Sequence, residues 1–197
     1  STRALSSAAS DVYKRQYYEM PSDHIYIRPE SWDKPFEAPE HVCSSYDNCH
    51  VPWGSTHEKT WHLVKTLPHV SGLFVWTGFD YLGEPTPYWW PSRSSFFGIV
   101  DLAGFPKDVY YMYKSEWTDE PVLHIFPHWN WKEGEPVDIW AYYNNADEVE
   151  LYLNGKSLGV RQKTDSTYHV SWRVPFTPGT LRAVSRLGGK EVLVKEI

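Results

Sequence analysis

The sequence predicts an α/β segment followed by an all-β domain, read as the last unit of a (β/α)8 TIM barrel and then an immunoglobulin-like β-sandwich. Three observations carry this. Ser71-Gly72-Leu73-Phe74-Val75-Trp76 is a short, nearly continuous apolar run, the pattern of a strand buried on both faces in a parallel sheet. That run lies between two stretches of helical period. From Pro121 onward the period changes to alternation, with tight-turn signals at Asn154-Gly155 and Gly188-Gly189.

Taken in chain order, residues 1–16 are expected to be foreign. Ser6 to Gln16 matches, codon for codon, the translation of a transposon-type sequencing-library adaptor, so this stretch is expected to be a disordered assembly scar and the natural chain to begin near Tyr17, truncated upstream. It carries no apolar core of a secretory signal. Residues 17–51, broken by Pro21, Pro29, Pro35 and Pro39, read as a long ordered loop. Ser55 and Glu58 form an S-x-x-E capping box, which with Trp61, Val64 and the closing Pro68 predicts a helix over 56–66. The buried strand follows. After Trp76 a stiff aromatic loop runs through Asp80, Glu84, Pro85, Pro87, Trp89, Trp90 and Pro91, and 96–100 is a second apolar run. Pro106, at a first helical position, opens a helix predicted over 106–116. Helix, buried strand, elaborated loop, helix is the layout of the end of a (β/α)8 barrel, where sites are built at strand C-termini. Residues 17–118 are therefore assigned to the barrel, 118–121 to a short linker and 119–197 to the sandwich. Its strands are expected at 122–126, 137–143, 149–153, 156–159, 168–174, 180–185 and 191–194.

Composition narrows the function. The chain has 197 residues, 41% hydrophobic and 22% charged, enough for real cores and against disorder. No apolar stretch approaches the roughly 20 residues of a membrane-spanning helix, so no membrane partner is expected. A formal charge of -6 argues against nucleic acid, which is bound by clustered Lys and Arg. The 11 Trp, 14 Tyr and 8 Phe exceed the needs of a core this size and suggest a polar-apolar ligand. Cys43 and Cys49 match no zinc or redox spacing, and both bridged and free thiols stay open.

The chemistry-bearing residues are few. His57-Glu58 invites comparison with H-E-x-x-H, but Trp61 stands where the second His belongs, so no metal is expected. There is no phosphate loop and no G-x-S-x-G elbow, and no cofactor is expected. Asp80, Glu84 and Asp101 are the candidate carboxylates beyond the strand ends. Asp80 is read as accepting hydrogen bonds either from substrate hydroxyls or from backbone amides, Glu84 as structural to its loop. Trp76, at the strand end, has the face to stack on a pyranose and an indole N–H to donate, against the simpler reading that it packs the barrel top. Trp53, Trp89 and Trp90 divide between loop packing and outer subsites. Trp129, Trp131, Trp140 and Trp172 are expected in the sandwich core.

The stretch Ser71 to Thr86, with Ser44 to Asn48, Val51 to Glu58, Phe97 to Tyr111 and Val149 to Gly159, closely resembles glycoside hydrolase family 2 β-galactosidases. The resemblance implies retaining hydrolysis of terminal β-galactosides, with one Glu as acid/base and another as nucleophile, both on earlier strands and neither present here. It implies that Trp76 is the floor of the sugar site and that Asp80 falls on the acidic position after it; Trp53 is also assigned to the substrate site. The expected partner is a β-galactoside or oligosaccharide. The parent protein is expected to be periplasmic or secreted and to form a homo-oligomer in some relatives' manner, and this chain alone to be inactive. A noncatalytic carbohydrate-binding protein, or a β-glucuronidase or β-mannosidase of the same family, are the alternatives.

Overall fold

The computed structural model describes residues 3–7, 26–27, 45–50, 54–84, 93–95 and 97–197. The chain divides into two compact units, residues 1–110 and 111–197. The division falls inside a helix rather than at the expected linker, because that helix commits its side chains to the second unit from Tyr111 onward.

In the first unit, helix α1 (His57–Thr66) leads into strand β4 (Val70–Val75). The expected capping box does not form. Thr56, not Ser55, is the N-cap and makes no side-chain cap bond. The carboxylate of Asp47 does that work instead, accepting from the backbone N–H of His57 at 2.9 Å and of Glu58 at 2.7 Å. A fixed carboxylate at a helix N-terminus satisfies two orphan donors and opposes the positive end of the helix dipole. It comes from ten residues upstream, beyond the reach of a local motif.

β4 pairs in parallel with strand β1 (Arg3–Ser7), with Leu5 opposite Leu73 and Ser7 opposite Val75. This corrects the expectation of disorder for residues 3–7: a strand edge presents unpaired backbone groups, and an extended segment that satisfies them is stabilised whatever its origin. The rest of 1–16 lies outside the described residues. Two further short strands, β2 (Tyr26–Ile27) and β3 (Cys49–His50), pair in parallel with each other. The two-faced burial expected for β4 is also corrected. Ser71 and Phe74 are exposed and the other four residues half-buried, with Phe74 72% exposed.

Beyond β4 the chain runs beside residues 93–95 and 97–100 without forming a regular strand at 97–100. Thr77 bridges two residues across this pairing: its N–H donates to the Phe97 carbonyl at 2.9 Å, and its carbonyl accepts from the Ile99 N–H at 3.0 Å. The N–H groups of Val100 and Asp80 donate to Gly78 and Val100. Gly98 is required here, since a Cβ on it would lie 2.1 Å from the Asp80 backbone nitrogen. Helix α2 (Asp108–Trp117) then begins just after Pro106. Its Tyr111 ring stacks on His124 at 3.8 Å, and Glu116 pairs with Lys163 at 3.5 Å.

The second unit is a sandwich of seven antiparallel strands: β5 (Leu123–Phe126), β6 (Pro136–Tyr143), β7 (Glu148–Leu153), β8 (Lys156–Arg161), β9 (His169–Pro175), β10 (Leu181–Leu187) and β11 (Lys190–Glu196). One sheet has the order β5-β6-β9 and the other β11-β10-β7-β8. All seven fall where alternation predicts them, to within two residues. The connections switch sheets in the immunoglobulin-like manner, with the fourth strand hydrogen-bonded to the third. Leu123, Ile125, Val137, Ile139, Ala141, Val149, Leu151, Val170, Trp172, Val174, Leu181 and Ala183 fill the interior from both sheets. Asn154-Gly155 and Gly188-Gly189 all have positive φ, as type I′ hairpins demand. No helix among the described residues is long and apolar enough to cross a membrane.

Candidate functional site

The C-terminal end of β4 carries the candidate site, because there the chain leaves the strand and exposes a large aromatic ring. Trp76 is 53% exposed. Its indole N–H does not point freely outward; it donates to the phenolic oxygen of Tyr81 at 3.2 Å, and the two rings stand nearly perpendicular at 86°. The Tyr81 hydroxyl donates in turn to Oε2 of Glu84. Burial, and then the Glu84 carboxylate, hold the Tyr81 phenol above its ordinary pKa, so it stays a donor at neutral pH. The loop places these groups by backbone pairing: Ser95 N–H donates to the Tyr81 carbonyl and Gly83 N–H to that of Arg93, both at 2.8 Å. Glu84 itself takes a left-handed backbone conformation, φ 41°.

Asp80 lies beneath this rim, not on it. Its side chain is 6% exposed, and the carboxylate accepts from the Gly98 N–H at 2.8 Å and forms an ion pair with Lys107 at 2.8 Å. Of the two partners expected for it, the backbone amide is the one it meets; direct contact with substrate hydroxyls is corrected, because its oxygens are turned inward and already bonded. Nearby, His57 is fully buried. Desolvation, reinforced by the positive charge of Lys107, lowers its pKa to about 3, so its imidazole is neutral at physiological pH. Asp101 is buried and structural, its Oδ1 accepting from the N–H groups of Ala103 at 2.7 Å and Phe105 at 3.0 Å around the turn at Gly104. No two carboxylates among these are set up as an acid and nucleophile pair: Asp80 and Asp101 are spent on internal partners, and Glu84 is tied to Tyr81. No group of three or more His, Cys, Asp or Glu among the described residues could hold a metal ion.

Trp53, Trp89, Trp90 and Cys43 fall outside the described residues, as does the side chain of Cys49. Of the four tryptophans expected in the sandwich core only Trp172 is there, while Trp140 lies on the face of β6 opposite to Ile139 and Ala141, stacked on His169. Trp140 and Trp172 are buried, Trp129 and Trp131 pack against the core, and three of the indoles donate to backbone carbonyls, of Thr177, His128 and Gly159. Sequence reasoning missed Tyr81 and Lys107. Asp80-Tyr81 sits five residues past Trp76, and a tyrosine there was a legible candidate for the indole; nothing in the spacing announced a lysine 27 positions on.

With this geometry in view, likeness to known proteins becomes informative. The chain is 60% identical over 193 residues to the "Beta-galactosidase BoGH2A" of Bacteroides ovatus, a match that covers 98% of this chain and 23% of that protein. A "Putative beta-glucuronidase" of Formosa agariphila is 41% identical over 174 residues, 84% of this chain and 16% of that one. Among solved structures, a beta-glycosidase from Bacteroides vulgatus superposes with TM-score 0.71 at 40% identity, over 79% of this chain and 19% of its own. A glycosyl hydrolase family 2 member from Bacteroides cellulosilyticus does so with TM-score 0.61 at 31% identity, over 71% and 23%. The chain belongs to glycoside hydrolase family 2. Residues 134–193, inside the sandwich, also match a domain of unknown function, DUF4982. This family 2 chain thus spans about a quarter or less of the length of these relatives. The match to the B. ovatus protein reaches into residues 1–16, since it covers all but 4 of the 197 residues (197 − 193).

Proposed function

We propose that this chain supplies the end of the catalytic barrel and the following sandwich of a retaining β-galactosidase, contributing the aromatic floor of the galactose site while the acid/base and nucleophilic glutamates belong to residues outside this sequence. The observation that carries the reading is Trp76, an indole half-exposed at a strand's C-terminal end and fixed at its N–H edge so that its face is held in one orientation. A pyranose offers a patch of C–H groups on one face and hydroxyls around its rim. A rigid aromatic plane bordered by polar groups meets both demands at small entropic cost. Asp80 and Lys107 act beneath it as positioning residues, tying the segment after Trp76 to residues 98–107.

The preference for galactosides over glucuronides rests on identity, 60% against 41% to the respective relatives. A β-glucuronidase is the second reading, supported by the names of those more distant relatives. A noncatalytic carbohydrate-binding role for the sandwich is disfavoured, because Trp172 lies in the core, Trp140 is buried against His169, and the indole N–H groups of Trp129, Trp131 and Trp172 are bonded to backbone carbonyls. Hydrolysis of an external β-galactoside or oligosaccharide suits a periplasmic or secreted protein, and the parent enzyme is proposed to act there.

The test is substitution of Trp76 by Ala in the full-length protein encoded around this sequence, assayed on an aryl β-galactoside. Loss of a stacking floor is expected to lower kcat/KM about 10- to 100-fold with unchanged secondary structure. Full activity in Trp76→Ala, or turnover by the 197-residue chain alone, overturns the reading.

A further inference from the structure

The loop beyond Trp76 holds a carboxylate near the edge of that ring. Trp76 gives its indole N–H to Tyr81 at 3.2 Å, and Tyr81 gives its hydroxyl to Glu84, so a carboxylate is tethered two hydrogen bonds from the ring and on the exposed side of the loop. Among the described residues no Lys or Arg pairs with Glu84; the neighbouring ammonium of Lys107 is buried and already paired with Asp80. The tether matters because a free glutamate on a loop would sweep many rotamers, whereas one bound to a phenol that is itself bound to the floor keeps its charge beside the bound sugar. We infer that Glu84 is a specificity-determining residue of the sugar site, accepting hydrogen bonds from hydroxyls of a neutral hexoside and repelling the carboxylate of a uronoside. This deepens, and rests on, the reading of Trp76 as the floor of a galactose site.

The chemistry is one of sign. A neutral hexose brings only hydroxyl donors to this edge, and an anionic acceptor binds those better than a neutral one does. A uronic acid brings a second negative charge to this exposed edge, and repulsion across about 6 Å at an effective dielectric of about 40 is worth roughly a tenfold loss of affinity. Tyr81 is a positioning residue in this scheme: it touches Trp76 and Glu84 and sets where the charge stands.

The experiment compares D-galactose and D-glucuronate as competitive inhibitors of the full-length protein, in the wild type and in Glu84→Gln, Glu84→Asp and Tyr81→Phe. In Glu84→Gln the ratio of the glucuronate to the galactose inhibition constant is expected to fall roughly tenfold, and in Glu84→Asp, which keeps the charge, to stay within about threefold of wild type. A residue that only braced its loop would give the same ratio in both. Tyr81→Phe is expected to relax the ratio by an intermediate factor and to move the indole N–H resonance of Trp76 in the 197-residue chain. An unchanged ratio in Glu84→Gln, equal ratios in the Gln and Asp variants, or an unmoved indole resonance in Tyr81→Phe each overturn the inference. The floor reading fails separately, by an undiminished Trp76→Ala enzyme; a crippled Trp76→Ala with an unchanged Glu84→Gln ratio sinks the role of Glu84 alone.

Discussion

The described residues of the sandwich close around a core, and those of the unit before it leave large apolar side chains exposed. In residues 111–197 the alternating strands turn one face inward, and Ile139, Val149, Leu151, Leu181 and Ala183 are sealed between two sheets. In residues 1–110 the most apolar strand of the chain, β4, leaves Phe74 in solvent, and Phe79, Leu82, Leu102 and Phe105 are exposed around it. Alternation encodes a strand that needs one partner layer, and the sandwich sequence contains both of its layers. A continuous apolar run encodes a strand that needs cover on both faces, and the described residues give β4 less than that. The difference separates a domain whose core lies within the described residues from a unit whose most apolar strand lacks such cover there.

The largest expected effect lies in the sandwich. Leu151 is fully buried at the centre of the inner face, and Leu151→Ala removes its methyl groups and leaves a cavity between rigid sheets. The expected cost is about 3 to 4 kcal/mol, read from denaturant unfolding followed by the amide exchange of β7 and β10. A cost below about 1 kcal/mol would mean that the sandwich is packed loosely and that the contrast between the units is false.

The second effect belongs to the first unit, which buries an imidazole and an ion pair among its described residues. His57 has a folded-state pKa of about 3, well below the ordinary 6.5, so the unfolded chain takes up a proton that the folded unit resists. Its contribution is complete above pH 6.5 and is lost as the pH falls toward 3; by pH 5 the first unit should have lost about 2 kcal/mol. Amide exchange in α1 is expected to accelerate over this range while the interior of β7 and β10 is unaffected. His57→Gln, which cannot titrate, should flatten the dependence. If α1 in that variant keeps the wild-type slope, another group is responsible.

These differences explain what could be read in advance. Each sandwich strand was legible because its pattern states both its period and its buried face, and the paired positive-φ turns at Asn154-Gly155 and Gly188-Gly189 set the register. At Trp76 the sequence marks an aromatic residue at the end of β4, where the structure holds it half-exposed, but it does not mark the surroundings of that ring. The capping of α1 by Asp47, the ion pair of Asp80 with Lys107 and the tie of Trp76 to Tyr81 are contacts between segments, and composition and spacing carry no record of them. Asp80 shows the consequence: an acidic residue four positions past a strand end looks the same in sequence whether it faces a ligand or a buried lysine. The sequence at 71–76 states apolarity and β-propensity but not whether a covering layer is available, so burial was expected where exposure is found.

The smallest expected effect is the most discriminating for that last point. Phe74 is 72% exposed, so Phe74→Ser removes little surface that folding had withdrawn from water. In the 197-residue chain the stability of the first unit should change by less than about 0.5 kcal/mol, while binding of a hydrophobic dye and concentration-dependent association should both fall. In the full-length protein, if a partner layer lies over β4, the same substitution puts a hydroxyl into an apolar interface and should cost about 2 to 4 kcal/mol. Equal and small costs in both proteins would show that Phe74 is a true surface residue and that the apolar run at β4 was never meant to be covered. A large cost confined to the longer protein would show that the exposed face is the seam along which this chain meets the remainder of its enzyme.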